Sequence, residues 1–124
     1  MTNTFREYLD DKIKEYNKEK RMSFNDYQNE AMSFRMETAT ALYAVLNLAG
    51  EVGELNSLMA KDIRDGRKPD YDMNVKKELG DVLWSIAAIA IDHGFTLQDI
   101  ADTNITKLSK RKIDNTLTGS GDNR

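Results

Sequence analysis

The sequence predicts an all-α fold, in which an antiparallel four-helix bundle core is preceded by an additional amphipathic helix. Apolar residues recur at intervals of three and four along most of the 124 residues, which is the helical period. The turn-forming pair Asp65-Gly66 and the single proline, Pro69, separate the two longest apolar segments. No segment alternates in the way that a strand does, so short connections between helices complete the architecture.

The composition excludes several functional classes. With no cysteine, the chain has neither a disulfide framework nor a zinc-thiolate site, and its single histidine rules out histidine-rich metal centres. The net charge of −3 argues against a broad nucleic-acid interface, so no nucleic-acid polymer is expected as a partner. No apolar run approaches the roughly 20 residues of a membrane span, and no signal peptide is visible. We therefore expect a cytoplasmic protein without a membrane partner.

The two ends of the chain differ from its centre. Residues 1–21 are dense in charge and carry one apolar stripe of helical spacing, formed by Phe5, Leu9, Ile13 and Tyr16. This extension is either a helix that packs on the body or on a partner, or a solvated mobile segment. Residues 116–124 contain Gly119 and Gly121 and lack periodicity. They are expected to form an irregular tail, which is either disordered or folded over a neighbouring active site with Arg124 at a phosphate.

Four helices are expected between these ends, within residues 22–115. The predicted helices cover residues 26–32, 38–63, 73–92 and 96–110. Ser23 and Asp26 form a variant capping pair before the first helix, and Thr96 caps the last one. Gly94 is the expected C-terminal stop of the third helix. The apolar side of the second helix is predicted to be formed by Leu42, Val45, Ala49, Val52 and Met59.

Two pairs of carboxylates stand where a packed helix should be apolar. Glu51 and Glu54 lie in the predicted second helix, and Glu78 and Asp81 lie in the third. Each pair has i, i+3 spacing, so both members share one helix face. Because an unpaired buried carboxylate is very costly, these charges need compensation. Two facing pairs form an oxygen-rich cage for a hard divalent cation, which indicates a metal-dependent enzyme that acts on phosphates.

The two carboxylate pairs are expected to lie at similar heights on neighbouring helices. The loop over 64–72 is short, so the second and third helices should pack antiparallel. Glu54 lies some ten residues before this loop and Glu78 some six residues after it. Without a cation, four converging carboxylates repel one another and raise each other's pKa. Mg²⁺, or Mn²⁺ as a substitute, relieves this repulsion and is commonly shared with substrate phosphates.

These residues resemble a known family. The string Leu-Ala-Gly-Glu-Val-Gly-Glu-Leu at 48–55, followed by Glu-Leu-Gly-Asp-Val-Leu-Trp at 78–84, is similar to the MazG-type nucleotide pyrophosphohydrolases of the all-α NTP pyrophosphatase superfamily. The family signature is Glu-Glu-x-x-Glu, a spacer and Glu-x-x-Asp, and the resemblance covers roughly residues 23–124. It implies that 22–115 is a catalytic domain that hydrolyses an NTP or dNTP to the monophosphate and pyrophosphate. It also implies Mg²⁺, a homodimer or homotetramer, and a role in nucleotide-pool housecleaning.

The resemblance assigns roles to individual residues. The four carboxylates would bind the metal, and Glu54 would act as the general base. Asn104 and Lys107 match the family's Asn-x-x-Lys and would bind the nucleotide or its phosphates, with plain surface positions as the alternative. Further cationic candidates, for which ordinary surface charge is the alternative, are Lys61, Arg64 and Arg111. Trp84 would stack on the base, unless it is a core or interface tryptophan.

Two positions depart from the family pattern. Gly50 replaces the first glutamate of the signature, as in the dCTP-pyrophosphatase-like and the phage or bacterial MazG-like branches. Ser85 stands where such relatives often carry a tyrosine. Glycine costs about 1 kcal/mol inside a helix, so close helix packing or a tight approach of the metal cluster would explain Gly50 and Gly53. The departures keep two other hypotheses open: a catalytically weak nucleotide- or metal-binding regulator, and a helical interaction module whose carboxylates are structural.

Overall fold

The computed structural model describes residues 4–19 and 21–122, and it confirms the all-α fold with an additional N-terminal helix. Its helices are α1 (Thr4–Glu19), α2 (Phe24–Ser33), α3 (Ala41–Asp65), α4 (Tyr71–Asp92) and α5 (Leu97–Ile113). The described ranges contain no strand. No helix within them is long and apolar enough to cross a membrane.

The helices α3 and α4 form the main packing unit of the chain. They are joined by residues 66–70 and therefore run antiparallel, as predicted. Gly66 ends α3 with a φ of 87°, in the left-handed region that favours glycine. The face of α3 toward α4 carries its less exposed side chains, which are Ala44, Asn47, Leu48, Glu51, Leu55 and Leu58.

The predicted apolar side of α3 is exposed to solvent in a single chain and does not face α4. Leu42 is 69% exposed and Val45 is 51% exposed. At 3.6 residues per turn, the centres of the predicted side and of the packed side are about 120° apart around the helix axis. The packed side includes the polar residues Asn47 and Glu51, so hydrophobicity alone does not identify it. The exposed apolar side of α3 is called the outer stripe below and is formed by Leu42, Val45, Leu46, Ala49, Val52, Met59 and Ile63.

One buried amide side chain ties α2 to the end of α4 and to the start of α5. Gln28 is 2% exposed, and its Nε2 donates hydrogen bonds to the carbonyl oxygens of Ala87 and Phe95. Its Oε1 accepts a hydrogen bond of 3.0 Å from the Leu97 N–H. Since an amide side chain offers both donors and an acceptor, Gln28 satisfies groups from two other segments at once.

The predicted helix caps are confirmed. The Ser23 hydroxyl accepts from the Asp26 N–H, while the Asp26 carboxylate accepts from the Ser23 N–H. Thr96 and Asp99 form the same reciprocal arrangement at the start of α5. Gly94 has a φ of 75° and follows the C-terminal end of α4, as expected for a residue that stops this helix.

An ion pair joins the segment after α2 to the C-terminal end of α4. Arg35 donates to both carboxylate oxygens of Asp92, at 2.8 and 2.9 Å, and the two side chains are only 15% and 19% exposed. The Nε of Arg35 also donates to Ala39 O at 2.8 Å. The hydrogen bonds from Arg35 lower the pKa of Asp92, because they favour the ionised carboxylate.

The buried core of a single chain is small. It centres on Ala87, Ala90 and Leu97, and the partly buried residues that pack against it are Tyr27, Met32 and Ile86. No residue of α1 is buried, and its apolar stripe of Phe5, Leu9, Ile13 and Tyr16 is exposed. The contact proposed for the N-terminal extension, with the body or with a partner, stays a prediction.

The tail after α5 is irregular, as expected, but it folds back on that helix. Asp122 accepts hydrogen bonds from Lys107 Nζ at 3.2 Å and from Arg111 Nη2 at 3.0 Å. Arg111 Nη2 also donates to Gly121 O, and the Arg111 residue is only 6% exposed. Arg124, the residue considered above for a phosphate contact, lies outside the described residues.

Candidate active site

Three of the four carboxylates converge between α3 and α4. One oxygen each from Glu51, Glu54 and Glu78 lies within 4.8 Å of the other two. Glu51 and Glu54 occupy successive turns of α3, and Glu78 comes from the neighbouring helix, in agreement with the spacing argument. Asp81, one turn further along α4, is not within this group of three. Its charge is nevertheless the second cause, after burial, of the raised pKa of Glu51.

Two of these carboxylates bury an oxygen that has no hydrogen-bond partner. Glu51 Oε2 and Glu78 Oε2 are inaccessible to solvent, and no donor in the described ranges reaches them. Leaving a buried polar group unsatisfied costs about 1–3 kcal/mol, and more when the group is charged. Carboxylate oxygens are the ligands that hard divalent cations prefer. The carboxylate oxygens of Glu51, Glu54 and Glu78 are therefore suitable ligands for such a cation. Asp81 offers a further carboxylate nearby.

The electrostatics of the cluster agree with this fit. Burial raises the pKa of Glu51, and the charges of Asp81, Glu54 and Glu78 raise it further. Burial also raises the pKa of Glu78, with the charge of Glu54 as the next cause. No basic side chain is among these causes, so the cluster has a surplus of negative charge that a divalent cation would neutralise.

The glycines beside the cluster are not explained by packing. A Cβ atom added at Gly50 or Gly53 would meet no atom within 4 Å. The expectation that close helix packing or the approach of the cluster requires glycine is therefore wrong within the described chain. Gly53 lies on the same side of α3 as the outer stripe, away from α4.

The predicted phosphate ligands of α5 border one cavity. Asn104 and Lys107 line a space of about 340 Å³ beside the connection from α4 to α5. Lys107 is half-buried and forms a salt bridge with Asp122 of the tail. Arg111 is engaged by the tail and carries a buried Nε without a partner, so its main contacts organise the C-terminal segment.

The cationic candidates at the end of α3 differ from one another. Lys61 borders a cavity of about 220 Å³ at the turn between α3 and α4. It follows Glu54 by seven residues on the same side of α3, which corresponds to roughly 10 Å along the helix axis. Arg64 instead donates two hydrogen bonds of 2.7 Å to the neighbouring Asp65. Lys61 is therefore the better placed of the two to meet a phosphate.

Comparison with known proteins identifies the family of the chain. Residues 37–114 match the family model of the MazG nucleotide pyrophosphohydrolase domain. The chain belongs to the MazG family. It is also 35% identical over 85 residues to the Gene 37 protein of Mycobacterium phage L5, an alignment that covers 66% of the chain and 75% of the phage protein. No solved structure matches the chain.

Next to the MazG carboxylates lies a cavity whose lining includes Trp84, the predicted base-stacking residue. This aromatic cavity, between α2 and α4, has a volume of about 390 Å³ and is lined by Met22, Tyr27, Glu30, Ala31, Phe34, Gly80, Asp81 and Trp84. Burial raises the pKa of Tyr27, and the charge of Asp81 adds to this effect. The spacing of positions 27, 31 and 34 was the available signal, because it places them on one side of α2. That helix precedes the segment that matches the MazG family.

Trp84 and Ser85 are neighbours in the MazG domain but have different surroundings. Trp84 Nε1 donates a hydrogen bond of 3.0 Å to Ala31 O, which fixes the indole as one wall of the aromatic cavity. Ser85 is fully buried, and its hydroxyl accepts a hydrogen bond of 2.8 Å from Asn47 Nδ2. Position 85 thus belongs to the interface between α3 and α4 and does not line the aromatic cavity.

Proposed function

We propose that this MazG-family protein is a Mg²⁺-dependent nucleoside triphosphate pyrophosphohydrolase. It converts an NTP or dNTP to the monophosphate and pyrophosphate, as part of nucleotide-pool housecleaning. The observation that carries the proposal is the convergence of Glu51, Glu54 and Glu78 around buried oxygens without donors. Membership of the MazG family supports the reaction class.

The four carboxylates would hold the cation, with Mn²⁺ as a possible substitute for Mg²⁺. When bound, the cation offsets charge on the substrate phosphates and lowers the pKa of a water molecule. Glu54 is exposed, unlike Glu51 and Glu78. We therefore assign to Glu54 the role of general base, which accepts the proton of the attacking water. Asp81, between the cluster and the aromatic cavity, would complete the set of ligands.

Side chains of α3 and α5 would bind the phosphates. Asn104 and Lys107 border one cavity, and Lys61 lies two turns beyond the proposed base. Arg111 would contribute through its charge beside Lys107, since its guanidinium is held by the tail. Trp84 would present a ring face to the nucleobase, because aromatic faces accept any base.

A homodimer or homotetramer is part of this proposal. The outer stripe leaves large apolar side chains in solvent, with Ile63 86% exposed. Contiguous exposed apolar surface of this kind is typical of an interaction site. Residues 22–115 would form the catalytic domain of each protomer in the cytoplasm, with 1–21 as an extension and 116–124 as a tail.

A catalytically weak nucleotide- or metal-binding regulator is the second candidate. The observations that favour it are Gly50, which removes a carboxylate from the family signature, and Ser85, which is buried and paired with Asn47. Such a protein would retain the cluster formed by Glu51, Glu54 and Glu78 and would bind nucleotides without turnover.

The test is a product analysis. The purified protein is incubated with a panel of NTPs and dNTPs in Mg²⁺ or EDTA, and the products are separated by ion-exchange chromatography. Glu54→Gln and Asp81→Asn are compared with Glu37→Gln, which changes an exposed carboxylate outside the cluster. We expect monophosphate and pyrophosphate from the wild type and from the control, with loss of both products in EDTA and in the two site variants.

Two other results would contradict the proposal. Diphosphate and orthophosphate as products would mean that a different phosphoanhydride bond is cleaved. Nucleotide binding without turnover of any member of the panel would favour the regulator.

A further inference from the structure

The aromatic cavity adjoins the carboxylate site at Asp81. Gly80 and Asp81 form part of its wall, and Asp81 also acts on the pKa of Glu51 inside the cluster. Its volume of about 390 Å³ lies within the roughly 300–1,000 Å³ that is usual for small-molecule sites. A nucleotide whose phosphates reach the cluster would therefore have this cavity beside its base.

The walls of the cavity suit a flat heterocycle. Tyr27, Phe34 and Trp84 supply aromatic surface, and Met22 adds a flexible apolar side chain. The indole of Trp84 is held by its hydrogen bond to Ala31 O, so this surface is preorganised. Stacking on such walls accepts any base and does not by itself select one.

The lining contains two carboxylates, Asp81, which is assigned to the cation, and Glu30. Glu30 lies one turn beyond Tyr27 on α2, is exposed to solvent and borders the cavity. Its backbone carbonyl accepts a hydrogen bond from Ser33, but no hydrogen bond or ion pair engages its carboxylate within the described ranges. The carboxylate is therefore available to a ligand, and an ionised carboxylate only accepts hydrogen bonds.

The edges of the four bases differ in their donors. Guanine presents two adjacent donors, N1–H and the N2 amino group, which match the two oxygens of a carboxylate. Adenine and cytosine present one donor next to an acceptor, and thymine or uracil presents one donor between two carbonyl groups. Against a carboxylate, each of these three edges leaves an acceptor opposed to an acceptor, so a bidentate pair forms only with guanine.

We propose that the aromatic cavity binds a guanine base and that Glu30 selects it by accepting from N1–H and the N2 amino group. The inference rests on the proposed function, which it deepens by naming a guanine nucleotide as the preferred substrate. A bidentate pair of this kind discriminates against a wrong base by about tenfold to a hundredfold.

The test uses binding and turnover in parallel. The chain has a single tryptophan, Trp84, so quenching of its fluorescence reports occupancy of the cavity. The probes are dGMP, dAMP, dCMP and dTMP in Mg²⁺, followed by kcat/KM for the four dNTPs. The wild type is expected to bind dGMP, and to hydrolyse dGTP, at least about tenfold better than the others.

Two variants separate the selection of a base by Glu30 from the stacking of any base on the aromatic walls. Glu30→Gln replaces one acceptor by a donor, so it is expected to abolish the preference for guanine and to improve binding of dAMP and dCMP relative to dGMP. Glu37→Gln carries the same chemical change at an exposed site outside the cavity and should keep the wild-type order. Because Glu30 is exposed, its substitution does not threaten folding, which circular dichroism verifies.

The outcomes distinguish this inference from the proposed function. Equal binding of all four monophosphates, or an order of preference that Glu30→Gln leaves unchanged, would overturn the role of Glu30 whatever the turnover. Selective quenching by dGMP that is lost in Glu30→Gln would support it even if no dNTP were hydrolysed. In that case only the catalytic proposal would fail.

Discussion

Glu51 and Glu78 each bury one carboxylate oxygen that no donor in the described chain reaches. Burial and the neighbouring carboxylates disfavour the ionised form of both side chains, so the ionised cluster opposes folding. A cation that binds only the folded state would reverse this effect by mass action. The side chains that weaken the fold in the absence of a metal would thus be the ones that bind the metal.

The variant Glu51→Gln should separate these two contributions. In EDTA it is expected to raise the melting temperature, because it removes one of several like charges from a partly buried site. Mg²⁺ is expected to raise the melting temperature of the wild type by several degrees, and that of the variant by less, because one ligand is lost. Circular dichroism at 222 nm, with and without Mg²⁺, measures both effects.

Glu37→Gln is the control for this comparison and should respond to Mg²⁺ as the wild type does. An equal response to Mg²⁺ in the wild type and in Glu51→Gln would contradict the assignment of Glu51 as a ligand.

For individual residues, the sequence predicted that the carboxylates converge but did not predict their surroundings. The i, i+3 spacing and the short loop were enough to bring Glu51, Glu54 and Glu78 together, since both are properties of local chain geometry. The aromatic cavity and the contact of Asp122 with Lys107 depend on how α2 and the tail lie against other elements. No periodicity within one helix carries that information.

The helix α3 carries apolar residues on two sides, so hydrophobicity alone does not identify the side that packs on α4. The outer stripe is the more hydrophobic side, yet the side that packs on α4 includes Asn47 and Glu51. Asn47 is accommodated because it donates to Ser85, and Glu51 belongs to the carboxylate cluster. The side that packs on α4 thus carries the carboxylate cluster and departs from the usual rule that the most apolar face is buried.

The ion pair of Arg35 and Asp92 joins the segment after α2 to the end of α4. Asp92→Asn is expected to lower the free energy of unfolding at neutral pH by about 1–3 kcal/mol, since it removes charge-assisted hydrogen bonds from a largely buried pair. The pKa of Asp92 is lowered on folding, so its contribution is present above its ordinary value of 3.8 and is lost as the pH falls through the folded value. Urea denaturation at several pH values measures this.

The difference between the wild type and Asp92→Asn should therefore shrink as the medium becomes more acidic than pH 3.8. Asp114→Asn is the control, because it removes an exposed pair with Lys110 and is expected to cost less than about 0.5 kcal/mol. A loss in Asp92→Asn that does not depend on pH would indicate damaged packing instead of a lost ion pair.

As a whole, a single chain buries little large apolar surface. Of the hydrophobic residues that are buried within the described ranges, all but Leu97 are alanines. Leu42, Leu46 and Ile63 of the outer stripe lie mostly in solvent instead. A chain with such a core gains stability when these side chains are covered, which is the physical reason to expect association.

Leu46→Lys should test the outer stripe as the contact between copies. Leu46 is 63% exposed in one chain, so lysine is expected to be tolerated by the monomer but to disrupt an interface that buries this side chain. Light scattering coupled to size-exclusion chromatography is expected to give an oligomer for the wild type and a smaller species for the variant. Ile113→Lys, at an 83% exposed position of α5, serves as the control.

A monomeric wild type would contradict the proposed assembly. Dissociation by Ile113→Lys, together with an intact Leu46→Lys oligomer, would instead place the contact at the end of α5.

The first backbone amides of α5 are held by side chains, and two of the three acceptors belong to α2. The amide of Leu97 donates to Gln28, that of Gln98 donates to Asn25, and that of Asp99 donates to Thr96. Such amides normally have no partner within their own helix. In hydrogen–deuterium exchange, the start of α5 would therefore be protected only while α2 is in place, and the two would open as one unit.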